Sequence, residues 1–397
     1  MAIAPTVRPA HRSLRASRRG ANHPTPTLLP SVPLQRDTES QAARSSRGCN
    51  ESPSHLVGIA RLAATSPLAD AKRGAEYFLL PVRSILNRCD SEQVPFAWTI
   101  NPYRGCEFGC HYCYARYTHE FMELDGAEFE RKIFVKKDAG PIANRDLSRG
   151  EVFGEHIAIG TATDPYQPAE REFKVTRAIL EQMALRKGLS VSITTKSDRV
   201  LDDLELLQRI SKHSSLFVNL SVTTLRPRLA RALEPRAPRP DLRLAAVRRL
   251  RGAGVMAGVF AMPVLPGLTD GEAELDALAR ASGEAGAQWF GVRAVFLMSS
   301  SLKHFLPFLE KRFPRLVRQY RECYGRGGYA PEPYRRELSE RVQRLRQKYG
   351  LSALPVAKDW ELPGKQLCLA LGGAPEQESS GDVVSKYEGI PGGGECF

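Results

Sequence analysis

Short apolar runs and longer amphipathic segments alternate through the middle of the chain. Each apolar run is rich in β-branched residues, which are common in strands buried on both faces of a parallel sheet. The five runs are HIAIGTATD, SVSITTKS, FVNLSVTT, VMAGVFAMPVLPG and FGVRAVFLM, and a strand-like segment at 96–100 precedes them. The amphipathic segments that separate the runs lie at 169–186, 200–212, 239–251 and 271–285.

A strand followed by a helix is the repeating unit of a parallel α/β fold. With the segment at 96–100 included, the pattern predicts six such units, which form a partial, open (β/α)6 barrel. Ligand sites in these folds lie beyond the C-terminal ends of the strands. We therefore expect the functional residues in the loops that follow the apolar runs.

The two ends of the chain differ in composition from this central part. The first 71 residues are rich in Arg, Pro and Ser and lack apolar periodicity, which is typical of disordered segments. The last 46 residues become rich in Gly and acids. We predict a disordered tail at 1–71, a docking segment at 72–95, the barrel at 96–300, a basic helical extension at 301–351 and a mostly disordered tail at 352–397.

The predicted extension contains an amphipathic, basic helix. Leu338, Val342, Leu345 and Tyr349 recur at helical spacing, so this stripe should pack on the barrel. Residues 311–348 contain 12 basic and four acidic residues. Their charged faces are either solvated or able to follow a nucleic-acid backbone.

The charge of the whole chain permits a nucleic-acid partner without requiring one. The net charge is +13, of which residues 1–50 contribute +6 from eight Arg and two acids, leaving +7 for the rest. The sequence shows no secretory leader and no apolar run of 18 residues, so we expect a cytoplasmic protein with no membrane span.

Three cysteines follow the first predicted strand at close spacing. Cys106, Cys110 and Cys113 form a C-x3-C-x2-C pattern, and three thiolates so close together are most often metal ligands. Gly105 and Gly109 permit tight turns around a bulky inorganic group. Tyr112 offers a flat ring on which an adenine could stack.

A structural zinc site is the alternative interpretation of this loop. His111 or His119 would then supply a fourth ligand. Zinc sites usually combine two closely spaced ligand pairs a dozen or more residues apart, and no second pair is present. The sequence therefore favours an iron–sulfur cluster.

The loop and several later motifs resemble one branch of a known superfamily. The C-x3-C-x2-C pattern with an aromatic residue before the third Cys resembles the cluster loop of the radical S-adenosylmethionine (radical SAM) superfamily. The resemblance covers about 77–350 and extends to an uncharacterised branch related to spore photoproduct lyase. Its motifs are NPYRGC, YCYAR, GTATDPYQP, TTKS, SVTT, LEPRAP and PVLPGLTD.

The resemblance implies a cofactor pair and a reaction. A [4Fe–4S] cluster with three thiolate ligands leaves one iron open, and S-adenosylmethionine fills that position in this superfamily. One electron, from a donor such as flavodoxin or ferredoxin, then cleaves the cofactor. The resulting 5′-deoxyadenosyl radical takes a hydrogen atom from a substrate, which the sequence does not identify.

Polar residues that follow the strands are candidates for the cofactor site. Gly160 could allow close approach of the cofactor, and Thr163 and Asp164 follow it, with Asp164 able to accept from ribose hydroxyls or an ammonium group. The resemblance places Lys196 and Ser221 at positions that contact S-adenosylmethionine. Ser, Thr and Asp after a strand also serve as helix caps.

Three further interpretations stay open. DNA photoproduct repair would require a cysteine hydrogen donor on the second strand, and 156–164 contains none. An iron–sulfur protein for electron transfer or sensing would need a fourth protein ligand. A nucleic-acid-binding protein with a structural metal would use the basic surfaces. Glu234 and Arg236 could either form an internal ion pair or contact the substrate, and the sequence does not decide between these two roles.

Overall fold

The computed structural model describes residues 56–353, apart from residues 73, 92–93 and 326. Eleven strands and twelve α-helices lie in this part of the chain. The strands are β1 (Leu68–Lys72), β2 (Ala75–Leu80), β3 (Leu86–Arg88), β4 (Trp98–Ile100), β5 (Tyr103–Arg104), β6 (Lys132–Lys136), β7 (His156–Ile159), β8 (Ser190–Thr195), β9 (Ser215–Ser221), β10 (Met256–Val264) and β11 (Phe290–Ala294).

The helices mostly follow the strands of the larger sheet, as the alternating pattern predicts. They are α1 (Gly58–Thr65), α2 (Tyr117–Glu120), α3 (Ala139–Asp146), α4 (Glu170–Phe173), α5 (Val175–Met183), α6 (Leu204–Ser211), α7 (Pro227–Leu233), α8 (Pro240–Gly252), α9 (Glu272–Glu284), α10 (Ser299–Arg312), α11 (Val317–Tyr324) and α12 (Glu332–Tyr349).

A seven-stranded sheet forms the centre of the fold, in the order β11-β10-β9-β8-β7-β4-β3. The six strands from β4 to β11 are parallel, and β3 adds an antiparallel edge beside β4. The predicted α/β fold, a partial open barrel of parallel strands with a helical C-terminal extension, is confirmed. The edge strand β3 is an addition that the alternating pattern did not predict.

Burial on both faces explains why the central strands are continuous apolar runs. All seven residues of β9 are buried, and the interior of the parallel sheet packs against α5, α6, α8 and α9 in one continuous core. Parallel sheets are covered in this way because their crossover helices lie on the faces. The predicted amphipathic segments correspond to these helices within a few residues.

The predicted stripe on α12 is also confirmed. Leu338, Val342 and Leu345 are buried in the core beside the sheet, and Tyr349 packs against that core half-buried. The helix begins at Glu332 and ends at Tyr349, with Gly350 in a left-handed conformation at its end. Left-handed glycine is a common helix terminator because it has no Cβ to clash.

The prediction of a disordered tail through residue 71 is wrong for its last part. Residues 58–65 form α1, and β1 begins at Leu68 and pairs with β2. These strands belong to a second sheet, of order β1-β2-β6-β5, against which α1 packs. All five residues of β1 are exposed, so the strand has no apolar alternation by which the sequence could reveal it.

The remaining divisions of the chain are proposals. The proposed boundary between barrel and extension at residue 300 falls just inside α10, which begins at Ser299. Residues 1–55 and 354–397, which include most of the two predicted tails, lie outside the described residues. No helix in the described part of the chain is both long and apolar enough to cross a membrane.

Gly258 on β10 packs directly against the buried Trp289 ring. A Cβ at Gly258 would lie 2.4 Å from ring atoms of Trp289, whose Nε1 donates to Asn219 at 2.9 Å. We expect Gly258→Ala to lower the free energy of unfolding by about 1–3 kcal/mol, because overpacking displaces this buried ring. Urea denaturation followed by circular dichroism measures the effect.

Gly252 provides the matched control for that substitution. It is the last residue of α8, and a Cβ at this position would have no heavy atom within 4 Å. Gly252→Ala should leave stability unchanged or raise it slightly, because alanine favours helix. Equal stability of the two variants would contradict the proposed packing of Trp289.

Candidate functional site

The cysteine loop begins where β5 ends. Gly105 has a φ of +82°, and a Cβ there would lie 2.7 Å from the carbonyl oxygen of Lys132 and 2.8 Å from that of Phe129. The neighbouring Cys106 donates its N–H to the same Phe129 carbonyl at 3.0 Å. Glycine is therefore required at this position because the loop passes directly over the chain near β6.

The loop places its three thiols in one poorly solvated region. Cys106 and Cys110 are buried and Cys113 is half-buried. Burial raises the pKa of all three thiols, and it raises that of Cys110 to about 12. The negative charges of Asp164, Cys110 and Cys113 raise the pKa of Cys106 further. The three sulfurs are thus close enough to influence one another's ionisation, and nearby cations and backbone N–H groups favour their thiolate forms.

Neither histidine of the zinc alternative joins these thiols. The Nε2 atom of His119 lies 3.0 Å from the Lys132 carbonyl, and the His111 ring stacks on Phe308 at 4.2 Å. Among residues in the described ranges, no three His, Cys, Asp or Glu side chains are arranged to hold a single metal ion. Thiolates of an iron–sulfur cube bind different iron atoms, so they do not need to meet at one point.

Gln167 is a site residue that sequence reasoning missed. Its buried amide donates from Nε2 to the Gly105 carbonyl at 3.1 Å, and its Oε1 accepts the Glu107 N–H at 2.9 Å. Thr163 donates to the same Gly105 carbonyl at 2.7 Å. Two residues of the loop after β7 therefore hold the backbone on either side of Cys106. The position of Gln167 in the TDPYQP motif was the available signal.

Asp164 lies beside Thr163 but its carboxylate is used within the protein. It accepts hydrogen bonds from the Tyr166 N–H at 2.9 Å, the Thr195 hydroxyl at 2.6 Å and the Lys196 N–H at 2.7 Å. Burial raises the pKa of this carboxyl although the three hydrogen bonds oppose the shift. Asp164 therefore joins the loop after β7 to the end of β8.

Gly160 is required by protein atoms. Its φ is +88°, and a Cβ would lie 2.5 Å from the Thr194 carbonyl oxygen and 2.7 Å from Cδ of Pro165. The left-handed conformation turns the chain sharply at the end of β7. This turn brings Thr163 and Asp164 towards the cysteine loop and β8.

Tyr112 is held by a buried polar network. Its hydroxyl donates to Glu234 and lies 3.1 Å from the Thr223 hydroxyl, which itself donates to Glu234 at 2.8 Å. Glu234 forms an ion pair with Arg243 at 2.5 Å, and both side chains are at most 1% exposed. Of the two interpretations of Glu234, the ion pair is the observed one, with Arg243 as the partner and not Arg236.

Glu234 is ionised within this network. Burial tends to raise the pKa of Glu234, but Arg243 and Lys196 outweigh that effect and hold it below its ordinary value. The carboxylate is therefore ionised and paired, as buried charges must be. Arg243 also donates to the Ser221 carbonyl at 2.9 Å, which links the network to the end of β9.

Lys196 places a cation beside the thiols. Its Nζ lies 5.9 Å from the centre of the Tyr112 ring, a distance at which cation–π attraction operates. Burial disfavours the ammonium charge, but the charges of Cys110 and Glu234 raise the pKa of Lys196 above its ordinary value. Lys196 and Ser221 extend from the ends of β8 and β9, and Ser221 is buried.

The fold thus gathers the predicted residues at one end of the parallel sheet. The cysteine loop follows β4 and β5, Gly160 to Asp164 follow β7, and Lys196 and Ser221 mark the ends of β8 and β9. This is the C-terminal edge, where ligand sites of α/β sheets lie.

Comparison with known proteins agrees with this geometry. Residues 100–279 match the family model described as the Radical SAM superfamily. Uncharacterized protein Rv2578c of Mycobacterium tuberculosis is 37% identical over 300 residues, which cover 75% of this chain and 88% of that protein. The chain belongs to the radical SAM superfamily. It is a radical SAM enzyme whose cofactors are a [4Fe–4S] cluster and S-adenosylmethionine.

Two further proteins are similar to this radical SAM enzyme, one in sequence and one in fold. Uncharacterized protein MJ0683 of Methanocaldococcus jannaschii is 31% identical over 175 residues, covering 44% of this chain and 63% of that protein. A spore photoproduct lyase structure with bound AdoMet and dinucleoside spore photoproduct has a TM-score of 0.53 at 17% identity. It covers 70% of this chain and 80% of that one. This likeness confirms the fold.

The buried ion pair should contribute strongly to stability. We expect Glu234→Ala to lower the free energy of unfolding by about 3–5 kcal/mol, because Arg243 would be left buried without a counter-charge. Chemical denaturation of the purified variant measures the loss.

Glu284 is the control, since it forms an exposed ion pair with Arg280 at 2.8 Å. Glu284→Ala should show no measurable change, because exposed ion pairs contribute little. A Glu234→Ala variant as stable as Glu284→Ala would disprove the assigned role of the buried pair.

Proposed function

We propose that this radical SAM enzyme holds its [4Fe–4S] cluster through the thiolates of Cys106, Cys110 and Cys113. The observation that carries the proposal is that a single loop holds three thiols, two buried and one half-buried, and that Lys196 Nζ lies 5.9 Å from the ring of Tyr112 in the same loop. Three thiolates would leave one iron without a protein ligand. S-adenosylmethionine would occupy that iron through its amino and carboxylate groups.

The S-adenosylmethionine site is proposed to lie between the cysteine loop and the ends of β7, β8 and β9. Lys196 would bind the cofactor's carboxylate, since its ammonium makes no hydrogen bond with a described residue. The Tyr112 ring, held by Glu234, would form a rigid wall. The residues proposed to contact the cofactor or shape its site are Tyr112, Gly160, Thr163, Asp164, Lys196 and Ser221.

These residues differ in how they would act. Thr163 and Asp164 already donate to or accept from protein groups, so their main contribution would be to position the loop and β8. Gly160 would act through the turn it permits. Lys196 and Ser221 would make the direct contacts, because their side-chain polar atoms form no hydrogen bond within the described part of the chain.

The cofactors would supply a one-electron cleavage that yields methionine and a 5′-deoxyadenosyl radical, which abstracts hydrogen from a substrate. The chain's share is to bind, orient and exclude water from this radical chemistry. The buried thiols and the network around Tyr112 suit that requirement. A reductant such as flavodoxin or ferredoxin completes the proposal.

The basic surfaces give limited support for a nucleic-acid substrate. Several of their arginines are already engaged: Arg243 pairs with Glu234, Arg239 with Asp241, and Arg341 with Glu337. β7 also contains no cysteine that could serve as a hydrogen donor. The proposed function therefore stops at hydrogen abstraction from a substrate of unassigned class.

The ligand assignment can be tested with two cysteine variants. After anaerobic reconstitution and reduction with dithionite, Cys110→Ala should lose the cluster absorbance and produce no 5′-deoxyadenosine. Cys323→Ala should retain both, because Cys323 lies on α11 outside the loop. Iron analysis and chromatography of the nucleoside are the measurements. A Cys110→Ala protein with full iron content, or a fully loaded wild type that forms no nucleoside, would refute the assignment.

The role of Lys196 can be tested by binding. Lys196→Met should weaken S-adenosylmethionine binding to the loaded enzyme by at least about tenfold, equivalent to about 1.4 kcal/mol, because the carboxylate loses its cationic partner. Equilibrium dialysis measures the affinity, and iron content should not change.

Lys187 serves as the comparison because it is exposed and lies in the loop after α5, before β8 begins. Lys187→Met should bind the cofactor like the wild type. Unaltered affinity in Lys196→Met would rule out the proposed carboxylate contact.

A further inference from the structure

Two cations lie side by side on the smaller sheet. Arg104 on β5 pairs with Phe134 on β6, and Lys136 follows two residues along the same strand. Directly paired residues and those two positions away share one face of a sheet, so both cations project from the face that carries Phe134. They are diagonal neighbours across the two strands.

This face is turned away from the barrel core. Ile133 and Val135, which alternate with Phe134 along β6, belong to the core that contains the parallel strands. Phe134 instead belongs to a separate apolar cluster with Ala63, Leu80 and Met122. Arg104 and Lys136 therefore lie outside the interior in which the S-adenosylmethionine site is proposed.

Neither cation has an anionic partner in the part of the chain that the structure describes. Lys136 is only 6% exposed and Arg104 is half-buried, and neither side chain forms a hydrogen bond or ion pair with any residue in the described ranges. Lys132, on the same face of the same strand, is paired with Glu128 at 2.8 Å. Buried charges without partners are costly, so an unpaired cation couple at this position calls for an external anion.

The nearest influential carboxylate is already occupied. Asp146 affects Lys136 only through longer-range attraction, and it accepts hydrogen bonds from the Ser84 hydroxyl at 2.7 Å and the Ile85 N–H at 2.9 Å. Arg145 pairs with it at 2.9 Å. Burial and the charge of Arg104 lower the pKa of Lys136 to about 7 in spite of Asp146. A bound anion would restore the ordinary ammonium state.

We propose that Lys136 and Arg104 bind a phosphoryl group at a site separate from the cluster and its cofactor. A guanidinium presents a planar fork of donors and an ammonium presents a point charge, and together they match the several oxygens of a phosphate ester. Arg104 also lies two residues before Cys106, so an anion bound there would contact the segment that leads into the cysteine loop.

Binding of inorganic phosphate to the full-length, reconstituted protein tests the site. In mildly acidic buffer without other oxyanions, calorimetric titration should show phosphate binding to the wild type and to Lys132→Met. Lys136→Met should bind at least about tenfold more weakly, because one of two charge-assisted contacts is lost. Wild-type protein that does not bind phosphate, or equal binding by Lys136→Met, would overturn the proposal.

Two further measurements separate a binding role from a structural one. Without phosphate, Lys136→Met should unfold at a temperature no lower than the wild type, since it removes an uncompensated buried charge; a clearly lower temperature would show that protein groups already satisfy Lys136 and would overturn the proposal. Lys136→Arg, which keeps the charge, should retain phosphate binding, and loss of binding in a folded variant would count against it.

Competition with S-adenosylmethionine tests whether the phosphate site is separate from the cofactor site. S-adenosylmethionine carries a carboxylate, so it should leave phosphate binding unchanged if the two sites are separate. Displacement of phosphate by S-adenosylmethionine in the wild type would place Lys136 in the cofactor pocket and overturn the proposal. Phosphate binding and its competition with S-adenosylmethionine can both be measured without cleavage of the cofactor. Their outcome is therefore independent of the assignment of the cysteine ligands.

Discussion

The backbone on either side of Cys106 is held by side chains from a different loop, and the rest of the site depends on that attachment. Gln167 and Thr163 both donate to the Gly105 carbonyl, and Gln167 accepts from the Glu107 N–H. These groups are buried, so each hydrogen bond would be costly to lose. Without these hydrogen bonds, a loop rich in turns would not hold its three thiols close together.

The same loop after β7 extends this constraint to the sheet. Asp164 binds the end of β8 through Thr195 and the Lys196 N–H, so the position of the Lys196 side chain is coupled to that of the cysteines. On the opposite side, Tyr112 is joined to β9 through Thr223 and the Glu234–Arg243 pair. The site is therefore a set of loops cross-linked by buried polar contacts at the C-terminal ends of parallel strands.

Much of the fold could be predicted because its signal is periodic. Continuous apolar runs identify strands buried on both faces, and the stripe on α12 identifies a helix with one buried face. The smaller sheet had no comparable signal, because β1 is wholly exposed and β5 has two residues. α1 is short and lies next to a segment of disordered composition.

The site could be predicted only in part for a different reason. Closely spaced cysteines indicate a metal cluster by chemistry alone, and the positions after each strand indicate where a ligand binds. Partner choice is a tertiary property: Glu234 is two residues from Arg236 but pairs with Arg243, which is one helix further along the chain. The same holds for Gln167 and for Lys136, which has no partner among the described residues, because the surroundings of both come from separate segments.

The central claim is that three cysteines of this loop leave one iron of the cluster for S-adenosylmethionine. The most direct test is the electron paramagnetic resonance spectrum of the reduced, iron-replete protein with and without the cofactor. Binding of the cofactor's amino and carboxylate groups to that iron should shift the g values. Identical spectra under saturating cofactor would mean that a protein group already completes the cluster, and this would contradict the account.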